Sequence, residues 1–207
     1  AETIDIARIM LDNSAALIPK QHPAEVVDAL TPYNGGILPE LIASITPMSF
    51  GVPLHLADSG ITVTFLSSGH ILGAAGILFE VDGKRIFHTG DTSLRAQRLV
   101  GPAQLPKLPI DVLVSESTNG LADAYLSHSR EAEYERLLTT ISETLTEGGS
   151  VMIPVFALGK LQEVLSMVWD GMTEGRIPTV PIYTGGMGRK ISDVYDKWLD
   201  SGSRIDH

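Results

Sequence analysis

The chain has no cysteine, so any metal chemistry must draw on its six histidines and on Asp and Glu. One segment stands out, Ser67-Ser-Gly-His70-Ile-Leu-Gly-Ala-Ala-Gly76. It sets an imidazole between glycines that let the backbone turn sharply and approach a ligand. A second, Phe87-His-Thr-Gly-Asp91, places a carboxylate just past an apolar run. A third, Val112-Leu-Val-Ser-Glu116-Ser-Thr118, does the same with Glu116. His and Asp are donors that zinc and related cations accept. Taken singly, each has a plainer explanation. His70 suits a hydrogen-bonded loop, Thr-Gly-Asp is an ordinary turn, and Glu116 could cap a helix. Their order and spacing make them a constellation.

The remaining histidines fit less well. His88 alternates onto the same strand face as Ile86, which suggests a sheet-face role. His128 precedes a helix near its N-cap, and His207 is terminal. His22 and His55 have no acidic or imidazole partner at ligand spacing. Two further turns carry cations, Phe156-Ala-Leu-Gly159-Lys160 and Gly185-Gly-Met-Gly188-Arg189-Lys190. Each leads from an apolar run into a helical pattern whose first amides could receive a phosphate. Tight strand-to-helix packing explains them equally well, and neither is a Walker or dinucleotide fingerprint.

Before residue 60 the pattern predicts short helices between breakers. One covers Ile4 to Ile18 and stops at Pro19, and another opens at His22-Pro23-Ala24-Glu25 and ends by Pro32 and Gly35-Gly36. The period then changes. Ile61 to Leu66 alternates as a strand, and Gly76 to Val81 and Lys84 to His88 flank Asp82-Gly83, a strong hairpin signal. Ile110 to Val114, apolar except for Asp111, reads as a strand buried on both faces. After residue 120 the pattern is helix Arg130–Glu147, strand Val151–Phe156, helix Gly159–Thr173, strand Val180–Tyr183 and a last helix running through Trp198. The second helix is expected to bury Leu161, Val164, Leu165, Val168 and Met172. The alternation predicts a parallel, doubly wound sheet, so the chain divides at 1–120 and 121–207.

At 207 residues the chain can bury a substantial core without disulfides or structural metal. A net charge of −10 argues against broad non-specific nucleic-acid binding, leaving room for a few local cations. The longest apolar runs are too short to span a membrane, and no leader pattern opens the sequence. The composition reads as that of a soluble cytoplasmic protein.

Four segments, in this order, resemble successive signatures of the β-CASP branch of the metallo-β-lactamase superfamily, which includes RNA-processing nucleases such as ribonuclease J. They are Gly69-His-Ile-Leu-Gly-Ala-Ala75, Thr89-Gly-Asp91, Ser115-Glu-Ser-Thr118 and Ile153-Pro-Val-Phe-Ala-Leu-Gly-Lys-Leu-Gln-Glu163. The resemblance implies an α/β fold, part of an αββα lactamase half-domain followed by part of a doubly wound β-CASP domain. It implies that His70 binds one zinc, that Asp91 bridges two, and that Glu116 stands behind them and orients a histidine ligand. It also implies a two-metal-activated water that cleaves RNA and leaves a 5′-phosphate, with Lys160, Arg189 and Lys190 facing the RNA.

The family's His-x-His-x-Asp-His motif and two later histidines are absent. The chain is therefore expected to be an internal portion of a zinc-dependent ribonuclease, inactive and weak in zinc by itself. Lys160 stands where many relatives have Arg, and Asn119 where they often have Tyr. Two other functions compete: a lactamase-fold hydrolase of a small ester or phosphoester, and a non-catalytic scaffold subunit. Homo-oligomerisation is compatible with either.

Overall fold

A computed structural model of the chain describes residues 2–23, 26–27, 36–120 and 129–198. It opens with α1 (Glu2–Gln21) and α2 (Leu38–Ser44). Five strands follow: β1 (Leu54–Leu56), β2 (Ile61–Ser67), β3 (Ala75–Val81), β4 (Lys84–His88) and β5 (Val112–Val114). Among the described residues three helices complete it, α3 (Arg130–Thr146), α4 (Lys160–Thr173) and α5 (Gly186–Trp198). Most of the helix expected after His22 lies outside the described residues, as do His128 and His207.

The strands form one sheet in the order β1-β2-β3-β4-β5, antiparallel until the last pair, which is parallel. The β3–β4 hairpin turns on Asp82 and Gly83, both with positive φ (49° and 69°), as a two-residue turn matched to strand twist requires. Asp111 then sets β5 beside β4. It accepts from Lys84 Nζ at 2.8 Å and from the Arg85 amide at 2.9 Å, while its own N–H donates to Arg85 O at 2.8 Å. The antiparallel alternation has a functional consequence. With β3 reversed, β2, β4 and β5 all run the same way and end at one edge of the sheet.

Several elements depart from expectation. α1 continues through Pro19, which sits in its last turn, where one lost N–H and a local clash are tolerated. β5 forms, yet Val112, Leu113 and Val114 are 48%, 58% and 44% exposed, so it is not the doubly buried strand its apolar run suggested. The strands expected at 151–156 and 180–183 do not form. A strand needs a ladder partner, and neither run finds one among the described residues; Met152, Phe156 and Tyr183 are exposed. The chain is thus mixed α/β with a five-stranded sheet, and no parallel sheet is seen after residue 120 among the described residues.

Two apolar clusters hold the molecule. In the first, Ile6 of α1 and Leu72, just after β2, meet Ile191, Val194 and Tyr195 of α5. The second joins Leu138 and Ile141 of α3 to Ile177. α3 starts cleanly because Ser129 Oγ accepts the Ala132 amide at 3.0 Å. In α4, Val168 and Met172 of the expected inward face pack against the second cluster, and the most buried positions also include polar Gln162 and Glu163. Both side chains serve as acceptors for loop amides. Gln162 Oε1 accepts Gly159 N–H at 2.8 Å, and Glu163 accepts the amides of Arg98 and Leu99 at 2.8 and 2.9 Å.

Candidate active site

Each of β2, β4 and β5 delivers one candidate residue at the shared edge: His70, three residues past β2; Asp91, three past β4; Glu116, two past β5. His70 Nε2 and Asp91 Oδ2 lie 3.8 Å apart. That is too long for a hydrogen bond. Both side chains are open to solvent, at 38% and 75%. An imidazole nitrogen and a carboxylate oxygen therefore face a common space with neither committed to the other.

The loops that carry them are tied together beneath. Ser68 O accepts Thr92 Oγ1 at 3.1 Å and Ser93 N–H at 2.9 Å. Gly69 has φ +67°, and a Cβ there would stand 2.5 Å from Ala103 N and 2.6 Å from Ser93 O. Only glycine fits this turn. Glu116 closes the arrangement. Its Oε1 accepts the Thr92 amide at 2.8 Å and its Oε2 the Thr118 amide at 3.3 Å, while its own N–H donates to Thr89 Oγ1 at 3.3 Å. The Thr92 amide is the main cause that holds the Glu116 carboxyl below its ordinary range, with Thr118 and the nearby His70 in support. Glu116 therefore anchors the Asp91–Thr92 backbone, and among the described residues no hydrogen bond links it to a histidine ring.

The loop bearing His70 is also gripped from the far side of the molecule. Gln97, 6% exposed, sends Nε2 to Gly69 O and His70 O, both at 2.7 Å, and its Oε1 accepts Lys160 Nζ at 3.0 Å. The Leu72 amide donates to the Tyr195 hydroxyl at 3.2 Å, and burial raises the pKa of that hydroxyl. Gly159, with φ +81°, lies against Ile71; a Cβ would meet Ile71 Cγ2 at 2.4 Å. Nothing in the spacing of the sequence marks Gln97 as part of a site. Glu163 and Gln162 carried a faint signal, since they end the motif that begins at Ile153.

Of the three candidate cations, Lys160 opens α4, and Arg189 and Lys190 stand exposed in the first turn of α5. The two helix starts abut, because Gln162 Nε2 reaches Gly188 O at 3.4 Å and Ser192 Oγ at 3.1 Å. His88 is exposed, its Nδ1 accepting the Gly90 amide at 3.0 Å. His55 Nδ1 shares a hydrogen bond with Thr62 Oγ1 at 2.8 Å. Neither joins His70.

His70 and Asp91 offer the donor types that zinc takes, and their separation suits two ligands of one ion. They fit as part of a metal site. No group of three or more His, Asp or Glu suited to a metal occurs among the described residues, whereas catalytic zinc generally takes three protein ligands. No helix among the described residues is long and apolar enough to cross a membrane.

No protein-family model matches the chain. Individual relatives do. The RNase J-like protein of Methanocaldococcus jannaschii is 40% identical over 136 residues, covering 66% of this chain and 32% of that protein. The endoribonuclease YSH1 of Eremothecium gossypii is 36% identical over 149 residues, 69% of this chain and 19% of its own length. The transcription termination factor FttA of M. jannaschii is 33% identical over 181 residues, covering 84% and 28% respectively. The chain spans less than a third of the length of these curated relatives.

Proposed function

Because this chain belongs, over the residues its relatives match, to the β-CASP branch of the metallo-β-lactamase superfamily, we propose that it is part of a metal-dependent ribonuclease, with zinc as the metal and RNA as the substrate. The observation that carries this reading is the convergence of His70 and Asp91 at one edge of the sheet, 3.8 Å apart and open to solvent. Residues 1–120 are read as the lactamase-like segment and 121–207 as the β-CASP-like one, and the absence of cysteine suits a cytoplasmic setting.

When bound, the metal supplies an acidified water and stabilises charge on the phosphoryl oxygens. The chain's own residues do the rest. His70 and Asp91 present their donors from loops pinned by Ser68 O and by Gly69. Glu116, held ionised by two backbone amides, fixes the Asp91–Thr92 turn so that the carboxylate need not reorganise. Arg189 and Lys190, exposed near the start of α5, are the cations assigned to backbone phosphates of an RNA in this reading. Lys160 keeps two N–H donors for the same purpose after the one it gives to Gln97. Catalytic zinc generally takes three protein ligands, so this reading requires at least one donor besides His70 and Asp91.

The test is cleavage of an end-labelled RNA by the complete protein that carries this chain. Asp91→Ala should reduce turnover by about a thousandfold or more, because it removes a group acting directly at the reacting centre. The unfolding midpoint should stay put, since Asp91 is an exposed side chain. Turnover retained within a few-fold would remove Asp91 from the site.

A further inference from the structure

We propose that Gln97 is a positioning residue for His70, held in its working orientation by Lys160. This inference rests on the reading of His70 as a metal ligand and deepens it. A carboxamide can flip end for end, and only its partners decide which end points where. Lys160 Nζ can only donate, so it fixes Oε1 on its own side at 3.0 Å. The two N–H groups of Nε2 are thereby directed at two consecutive carbonyls, Gly69 O and His70 O, each at 2.7 Å. Both donors are used, and the whole amide is buried.

Two adjacent carbonyls face one amide only because the backbone turns at Gly69, whose φ is +67°. The main chain of His70 is therefore clamped from below, leaving the imidazole as the free end. The clamp draws its support from α4, some sixty residues further along the chain. Gln97 is itself seated by its backbone N–H on Val100 O at 2.8 Å, next to the Arg98 and Leu99 amides that Glu163 accepts. The start of α4 thus reaches His70 through a single side chain.

The isosteric change Gln97→Glu removes both donors and sets a carboxylate against two carbonyl oxygens, while keeping a partner for Lys160. Two measurements are made on the complete protein. In the first, cobalt(II) titration followed by its visible spectrum reports affinity at the His70–Asp91 site. Loss of a group that orients a metal ligand weakens metal binding by about 10–100-fold, and that is the expected change for Gln97→Glu. In the otherwise wild-type chain, Lys160→Arg, which still donates to Gln97 Oε1, should retain near-wild-type affinity, and Lys160→Met should weaken it in the same direction as Gln97→Glu. In the second, amide hydrogen exchange over residues 69–72 should quicken by about tenfold in Gln97→Glu, with the strand amides of β2 and β3 unchanged.

Affinity within twofold of wild type, or unchanged exchange at 69–72, would overturn the proposal. Should wild-type protein itself bind no cobalt, the metal reading of His70 fails, and exchange alone then decides whether Gln97 clamps the loop. Slower or faster exchange throughout the sheet as well would mark Gln97 as a general packing residue and also overturn the proposal.

Discussion

Gly159 combines a positive φ with close packing on Ile71, and replacing it with alanine tests how the His70 loop is held. It adopts φ +81°, ψ −65°, and Lys160 N–H donates back to Leu158 O at 3.0 Å. This is a γ-turn with positive central φ, the rarer and more strained hand. An L-residue forced there costs about 1–3 kcal/mol. The added methyl would also stand 2.4 Å from Ile71 Cγ2, so one of the two must move. Overpacking of that kind adds about 1–3 kcal/mol. The two effects have different origins and add to about 2–6 kcal/mol. Urea unfolding measures it: with a slope of about 2 kcal/mol per molar, the midpoint should fall by about 1–3 M at unchanged slope. Pairing Gly159→Ala with Ile71→Ala separates the causes, because the smaller side chain relieves the clash and leaves the backbone strain. A coupling of about 1–3 kcal/mol between the two is expected. A loss below about 1 kcal/mol, or a coupling near zero, would refute the close packing of the α4 start on the His70 loop.

Two other outcomes follow from the acids that hold loop amides. Glu116 has a native carboxyl below its unfolded value of 4.5, so its ionised form adds stability above about pH 5 that is lost as pH falls through the native value. Glu116→Gln should therefore be less stable than wild type at pH 7, the gap closing on acidification, as followed by unfolding midpoints between pH 7 and 3; a gap constant with pH would contradict the assignment. Glu163 is 4% exposed and accepts two backbone amides, with Arg130 at 3.7 Å. Glu163→Ala leaves those donors buried without an acceptor and should cost about 2–5 kcal/mol in the same assay, against a smaller loss for Glu163→Gln.

What could be read from the sequence was local. The Asp82-Gly83 turn announces its hairpin because two positive-φ residues between alternating strands admit few other conformations. His70, Asp91 and Glu116 were legible as a set because each follows an apolar run at a short, similar distance. Gln97 was not, since its role depends on the carbonyls of residues 69 and 70 and on an ammonium at 160, none near it in the chain. The runs 151–156 and 180–183 have strand composition, yet a strand is made by its neighbour. The inward face of α4 was read only in part for a related reason: apolar periodicity finds the stripe that packs, Val168 and Met172 among it, and it cannot see that Gln162 and Glu163 are buried to receive amides from elsewhere.

A cleft of about 490 Å³ lies where the segment after Asp91 meets α3 and α4, lined by residues including Arg98, Arg130, Tyr134 and Asp170. Arg98 pairs there with Asp170 and stacks on the Tyr134 ring at 5.0 Å, and Arg176 lies 5.3 Å from the same ring. The charges of that cleft are largely spent within the molecule.

The hairpin tip at Asp82-Gly83 sits at the opposite end of the sheet from His70, Asp91 and Glu116. A five-residue strand, β4, separates the tip from the chemical edge, a span of about 17 Å. A Cβ built at Gly83 meets nothing within 4 Å. Under the proposed function the sheet therefore has a working end and a handling end, and a dye, tether or affinity tag attached at the tip would report on the molecule from a place remote from His70, Asp91 and Glu116.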